Sequence, residues 1–115
     1  MLPFYAQPYS EPIEFYLEKG RNSIKLIAEM DTDVVLYAHP LTLQFNGVKA
    51  HYQLPQASLY KLINTPFYGY TNKLSIPLHI GMIGEHATLS VSYRACHLTK
   101  QVCYPPSTQH ISMIN

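Results

Sequence analysis

The sequence predicts an all-β fold, an antiparallel sandwich of short strands, on three observations. Apolar residues recur at every second position in segment after segment, which places alternate side chains on one face of a half-buried strand. Turn-forming residues punctuate those segments at short intervals. No window of about eleven residues keeps the period of an amphipathic helix.

Ile13, Phe15 and Leu17 alternate with Glu14, Tyr16 and Glu18, and the turn Lys19-Gly20-Arg21-Asn22 follows. Ile24, Leu26 and Ala28 alternate with Lys25, Ile27 and Glu29 up to Asp31-Thr32-Asp33. Val34 to Ala38 is a continuous apolar run, far short of the ~20 residues a membrane helix needs. Leu41, Leu43 and Phe45, then Val48, Ala50, Tyr52 and Leu54, alternate on either side of Asn46-Gly47, a pair suited to a two-residue hairpin turn. Thr65-Pro66 reads as a turn, Leu74, Ile76, Leu78 and Ile80 as a strand, and Gly81 to Glu85 as the next turn. Pro77 interrupts that strand with a missing N–H, so it belongs at an edge or where that N–H is not needed. Ala87, Leu89, Val91 and Tyr93 form a further strand, Pro105-Pro106 a break, and Ile111 and Met113 the last run. About seven short strands with frequent turns suit a sandwich.

The chain has 115 residues, enough for one domain with its own core. Residues 1–11 read as an N-terminal extension and 12–115 as the domain. A net charge of +1 with only eight Lys and Arg argues against nucleic acid as the main partner. A charged fraction of 13% beside 47% hydrophobic residues argues against disorder. Met1 to Pro8 has neither a basic start nor a long apolar core, so it is not read as an intact signal peptide. These features alone leave a cytosolic protein and a mature domain without its targeting segment both open.

Chemistry is concentrated in Cys96 and Cys103, which enclose His97-Leu98-Thr99-Lys100-Gln101-Val102. There is no Trp, and the cysteines are too close for the intersheet bridge of a true immunoglobulin domain. Four readings of the pair stay open. A structural disulfide closing a hairpin would add roughly 2.5 kcal/mol by chain entropy. Two buried free thiols are a second reading. A redox pair cycling by thiol–disulfide exchange is a third. A metal site would add His97 or His110 to the thiolates, in a spacing that matches no common zinc pattern.

Three blocks resemble a known family. Val91-Ser92-Tyr93-Arg94-Ala95-Cys96 with Val102-Cys103-Tyr104-Pro105-Pro106 is similar to the active-site hairpin of the N-terminal periplasmic domains of DsbD thiol:disulfide interchange proteins. Pro66-Phe67-Tyr68-Gly69 before Leu74-Ser75-Ile76-Pro77-Leu78 resembles that family's cap loop and next strand, and Val35-Leu36-Tyr37 its Tyr-x-Tyr strand. The blocks agree in order over about residues 24 to 114. The chain departs from the family pattern in three places. Six residues rather than the usual five separate the cysteines, so the hairpin is expected to bulge differently. Thr65 and Pro66 stand where acids commonly precede the cap-loop Phe, and Val35 replaces the first aromatic of the pair.

The resemblance implies an immunoglobulin-like antiparallel β-sandwich with a redox-active disulfide on a hairpin at one end. It makes Cys103 the sulfur attacked by a partner and Cys96 the resolving cysteine. Phe67, Tyr68 and Gly69 become a shielding cap loop, with Pro66 and Gly69 framing a hinge. Tyr37, Tyr104 and Pro105 become neighbours of the disulfide. His97 and Lys100, between the cysteines, are placed to stabilise a thiolate electrostatically. No cofactor or metal is implied. The expected partners are thioredoxin-fold proteins: the family's own C-terminal domain as donor, and periplasmic disulfide isomerases or cytochrome-maturation thioredoxins as acceptors. The expected compartment is the periplasm, where a resting disulfide persists, and the domain is either excised from a membrane-embedded protein or free-standing. The competing reading is an immunoglobulin-like binding or assembly module whose disulfide is purely structural.

Overall fold

Alternating apolar residues become strands almost wherever they occur. In the computed structural model, which describes residues 12–21, 23–50, 52–78 and 88–112, the chain runs through β1 (Ile13–Lys19), β2 (Ile24–Met30), β3 (Val34–Tyr37), β4 (Thr42–Phe45), β5 (Val48–Lys49) and β6 (Ser58–Leu62). It continues through β7 (Thr65–Tyr70), β8 (Lys73–Leu78), β9 (Thr88–Tyr93), β10 (Ala95–His97), β11 (Val102–Cys103) and β12 (Ser107–Ser112). All pairings are antiparallel, in three sheets ordered β1-β2-β8, β11-β10-β3-β7-β6 and β12-β9-β4-β5.

The first sheet is one layer of a sandwich. The other two are halves of the second layer, because β9 continues into β10 through the single residue Arg94. Between the layers lies one core. Ile13, Phe15, Leu26, Ala28, Leu74 and Ile76 meet Val34, Leu36, Leu43, Phe45, Leu89, Val91 and Tyr93 there, and all are buried. Phe15 packs on Tyr93 across the layers with ring centroids 5.0 Å apart. Burial of this apolar surface is the main force holding the layers together. Gln109 adds a polar tie, donating from Nε2 to the Ile13 carbonyl (3.3 Å) and the Tyr93 hydroxyl (3.2 Å).

Several expectations hold in detail. Asn46 and Gly47 form the β4–β5 turn with φ of 49° and 85°, both positive as a type I′ turn requires. Pro77 lies on β8, an edge strand, opposite Lys25. Other expectations need correction. The run Val48 to Leu54 pairs only over Val48–Lys49, and the chain then follows an irregular path that still buries Ala50. Tyr52 stays on that path by donating its hydroxyl to the Leu41 carbonyl (2.6 Å). Thr65-Pro66 is not a turn. It begins β7, and the turn falls one pair earlier, at Ile63 and Asn64, with φ of 47° and 64°. The readings placed on residues 1–11, Ile80, Gly81 to Glu85, Ala87 and Met113 lie outside the described residues.

Candidate active site

Strand β3 is buried on both faces. Val34 and Leu36 point into the main core, while Val35 and Tyr37 point outward. Outward of β3 a second apolar cluster forms from Val35, Leu62 and Cys96, with Tyr37, Tyr60, Phe67 and Leu98 packed against it. β10 brings Cys96 to this cluster by pairing with β3, Cys96 opposite Val35.

Cys96 and Cys103 are bonded and face each other across the β10–β11 ladder, with Cα atoms 3.9 Å apart. The Tyr104 N–H donates to the Ala95 carbonyl (2.9 Å), which makes the cysteines a non-hydrogen-bonded pair, the position where side chains of opposite strands come closest. The expected bulge is absent. The six intervening residues comprise one further ladder pair, His97 opposite Val102, and a four-residue turn closed by Gln101 at φ 56°. The two cysteines differ in exposure. Cys96 has 0% of its surface exposed, whereas Cys103 lies exposed on β11, the edge strand.

The cap is a hairpin rather than a loop. β6 and β7 pair along their length from Ser58↔Gly69 to Leu62↔Thr65. β7 pairs with β3 at Leu36↔Tyr70 and Tyr37↔Gly69, and the Ala38 N–H donates one position further to the Tyr68 carbonyl (2.9 Å). The outer part of the hairpin packs Leu62, Phe67 and Tyr60 on the cluster over the sheet's outer face. Phe67 stacks on Tyr37 with centroids 4.2 Å apart and planes 9° apart, and Tyr60 lies 6.1 Å from Phe67. The Arg94 guanidinium closes this stack, 5.5 Å from the Tyr37 ring, and its Nε is buried without a hydrogen-bond partner among the described residues. At the hairpin tip the Ile63 N–H donates to Gln101 Oε1 (2.8 Å). Gln101 Nε2 in turn donates to the Leu98 carbonyl (2.6 Å). The far side of the cysteine turn is fixed to Asp33, which accepts the Leu98 N–H on its carbonyl (2.8 Å) and the Thr99 hydroxyl on Oδ2 (2.8 Å).

Of the residues singled out in the sequence, the structure brings together Cys96, Cys103, Tyr37 and Phe67. Period two sends others elsewhere. Tyr68 follows Phe67 and therefore faces away, 59% exposed, onto a cleft of about 860 Å³ that Pro40, Tyr52 and Tyr70 also line. Tyr104 follows Cys103 and packs against the main core, and Pro105 is exposed. Gly69 is not a hinge. It sits in β7 where a Cβ would come 2.6 Å from the Leu36 carbonyl oxygen, so its role is close approach of β7 to β3. His97 Nδ1 accepts the Lys100 N–H (3.2 Å), holding the ring against its own turn, and Lys100 is exposed. His110 lies on β12 in another sheet, paired with Ser90 at 2.9 Å. Among the described residues no three His, Cys, Asp or Glu side chains are grouped to hold a metal. Tyr60, Arg94 and Gln101 belong to the site and were not read from the sequence. Tyr60 and Leu62 do share a face at period two, a signal too short to stand out; an amide in a turn carries none.

A buried cysteine bonded to an exposed one, beside aromatic side chains of a hairpin, defines a β-sandwich domain that carries a disulfide at one edge of a sheet. Known proteins agree. The family described as thiol:disulfide interchange protein DsbD, N-terminal, matches residues 6–115, and the chain belongs to it. The thiol:disulfide interchange protein DsbD of Escherichia coli O157:H7 is 26% identical over 111 residues, covering 92% of this chain and 19% of that protein. The chain thus spans about a fifth of the curated relatives it matches. The reduced N-terminal domain of Neisseria meningitidis DsbD superposes with a TM-score of 0.75 at 12% identity, over 100% of this chain and 94% of that one. The same domain in its complex with the PilB N-terminal domain gives 0.71 at 12% identity, over 96% and 88%. These structures establish the immunoglobulin-like fold.

Proposed function

We propose that this domain relays electron pairs in the periplasm, from a thioredoxin-like donor domain to thioredoxin-fold acceptors, through the Cys96–Cys103 disulfide. The observation that carries the reading is the unequal exposure of the two bonded cysteines, Cys96 buried in the aromatic cluster and Cys103 exposed on the edge strand. A donor thiolate attacks Cys103 Sγ in line with the S–S bond, and Cys96 leaves as a thiolate that takes up a proton. The donor's second thiolate then attacks the donor sulfur of the mixed disulfide and releases Cys103 reduced. Two electrons have entered, and the donor is left as a disulfide. In the forward half, Cys103 thiolate attacks an acceptor disulfide, and Cys96 resolves the complex by attacking Cys103. The acceptor leaves reduced and the Cys96–Cys103 bond is restored. Donor domains on the remainder of a longer DsbD-type protein, and isomerase or cytochrome-maturation acceptors, fit this scheme. The Neisseria relative's complex with a PilB domain is in keeping with a partner docking at this end.

Trapping tests the scheme. Cys96→Ser, which leaves Cys103 free, is expected to accumulate a mixed disulfide with a thioredoxin-fold partner on non-reducing gels. Trapping through Cys103→Ser instead would reverse the assigned roles. A reduction potential below about −300 mV would favour a structural disulfide in a binding module.

A further inference from the structure

We propose that Gln101 is a latch that holds the cap hairpin closed over the disulfide, and so sets how well the site resists reduction by small thiols. This rests on the relay reading and adds a positioning residue to it.

The cysteine turn is anchored to the framework through Asp33, which binds both the Leu98 N–H and the Thr99 hydroxyl. The outer part of the cap hairpin has no such anchorage, since β7 leaves β3 beyond the Tyr68 carbonyl and β6 is the opposite edge of that sheet. Its tip carries an unusual residue. Ile63 has φ 47°, a region β-branched residues avoid, and its side chain is 70% exposed. The Ile63 side chain therefore does not hold the tip down; Leu62 beside it packs on Val35 and Cys96, and the tie to Gln101 adds a polar contact to that packing. In a two-residue turn the first N–H is outside the ladder, and here it points to Gln101 Oε1 at 2.8 Å. Gln101 is prepared for that role. Its backbone is left-handed at φ 56°, and its Nε2 is bound to the Leu98 carbonyl of its own turn, so Oε1 is aimed before the cap arrives. The bond joins the two ends of one sheet, β6–β7 and β10–β11, directly across the Cys96 cluster.

Attack on Cys103 Sγ expels Cys96 as a thiolate into the apolar cluster that the hairpin covers, so reduction by a small thiol quickens when the cap is raised and water reaches Cys96. Glutathione thiolate then forms a bond to Cys103 Sγ while Cys96 leaves and is protonated. A second glutathione thiolate attacks the glutathionyl sulfur, giving oxidised glutathione and the reduced pair. The observed rate scales with the open fraction of the cap, whereas a docking protein displaces the cap itself.

The test is the rate of reduction by glutathione, set beside the rate with a thioredoxin, for the wild type and for Gln101→Ala, Gln101→Met and Gln101→Glu. Loss of one such hydrogen bond is expected to raise the glutathione rate roughly three- to tenfold in Gln101→Ala and Gln101→Met. The thioredoxin rate should change less than twofold. Gln101→Glu keeps an acceptor for Ile63 while losing the donor to Leu98, and should stay close to the wild type. Equal acceleration in all three variants would assign the effect to the turn and overturn the latch, as would no acceleration in any. Should Gln101→Ala fail to fold, Gln101→Met carries the same comparison. If thioredoxin does not reduce even the wild-type disulfide, the relay reading fails rather than the latch alone.

Discussion

Gly69→Ala probes the contact on which the cap depends. Gly69 has an ordinary extended backbone, so an alanine there meets no φ penalty; its cost is steric. The added Cβ would stand 2.6 Å from the Leu36 carbonyl oxygen and 2.7 Å from Val35 Cγ2. Ordinary contact begins near 3.4 Å, and the first of these atoms is backbone, so β7 must move away from β3 by most of an ångström. Overpacking of this kind costs about 1–3 kcal/mol. The bond from the Ala38 N–H to the Tyr68 carbonyl (2.9 Å) lies next to the clash, and its loss adds about 1 kcal/mol. The expected destabilisation is therefore about 2–4 kcal/mol, or a fall in Tm of roughly 10–20 °C for a domain of this size. Urea unfolding of the oxidised protein, followed by circular dichroism, measures the loss, and thermal unfolding supplies the Tm. Because Val35 and Leu36 lie opposite Cys96 and Ala95, the same variant should lose protection against glutathione. A destabilisation under about 0.5 kcal/mol, the range of an ordinary surface substitution, would refute the close approach of β7 to β3.

Phe67→Ala removes the ring stacked on Tyr37, worth about 2 kcal/mol with its partial burial, and should speed reduction by glutathione roughly 10- to 30-fold; an unchanged rate would show that the ring does not shield the sulfurs. In the reduced domain, iodoacetamide should alkylate exposed Cys103 at least about tenfold faster than buried Cys96, as peptide mass spectrometry would show, and equal labelling would contradict the unequal exposure. Tyr16 donates to Glu29 Oε2 (2.5 Å), and that bond is the largest of the causes that push its pKa up to about 12. The neutral phenol is thus favoured in the fold: its contribution to stability is complete below pH 10 and is lost as pH rises toward 12. Absorbance at the phenolate band should show Tyr16 titrating late and Glu29→Gln bringing it earlier.

What was legible in the sequence was whatever one residue type enforces locally. Asn46-Gly47 declares its turn because both residues tolerate positive φ. The turn at Ile63-Asn64 has the same geometry but begins with a β-branched residue, so local chemistry argues against it, and the hairpin that caps the site was read as a loop. Val48 to Leu54 misled in the opposite sense. Its alternation is real, yet Val48 is 65% exposed, and the chain leaves β4 soon after the Ala50 N–H has donated to the Leu43 carbonyl (2.9 Å). The run Val34-Val35-Leu36 shows no alternation because both of its faces are covered, by the core on one side and the disulfide cluster on the other. The cysteines stood out by themselves, but their redox roles and Phe67 came through the resemblance. The resemblance placed Tyr68 in the cap and Tyr104 near the disulfide; in the structure Tyr68 lies on the exposed face of β7 and Tyr104 packs against the main core. Gln101 and Arg94 act through tertiary neighbours 38 and 57 residues away, Ile63 and Tyr37, and no local pattern announces such contacts.

The bond between Ile63 and Gln101 has a consequence for how this domain can vary. Two loops that are remote in sequence have matched lengths, because one reaches only as far as the other extends. A residue deleted between the cysteines would withdraw the acceptor from the cap tip, and a residue added to the β6–β7 turn would carry the donor past it. Chimeras between relatives should therefore function when both loops come from one parent and leak electrons to small thiols when they come from two. Six residues between the cysteines and a two-residue cap turn form one heritable unit.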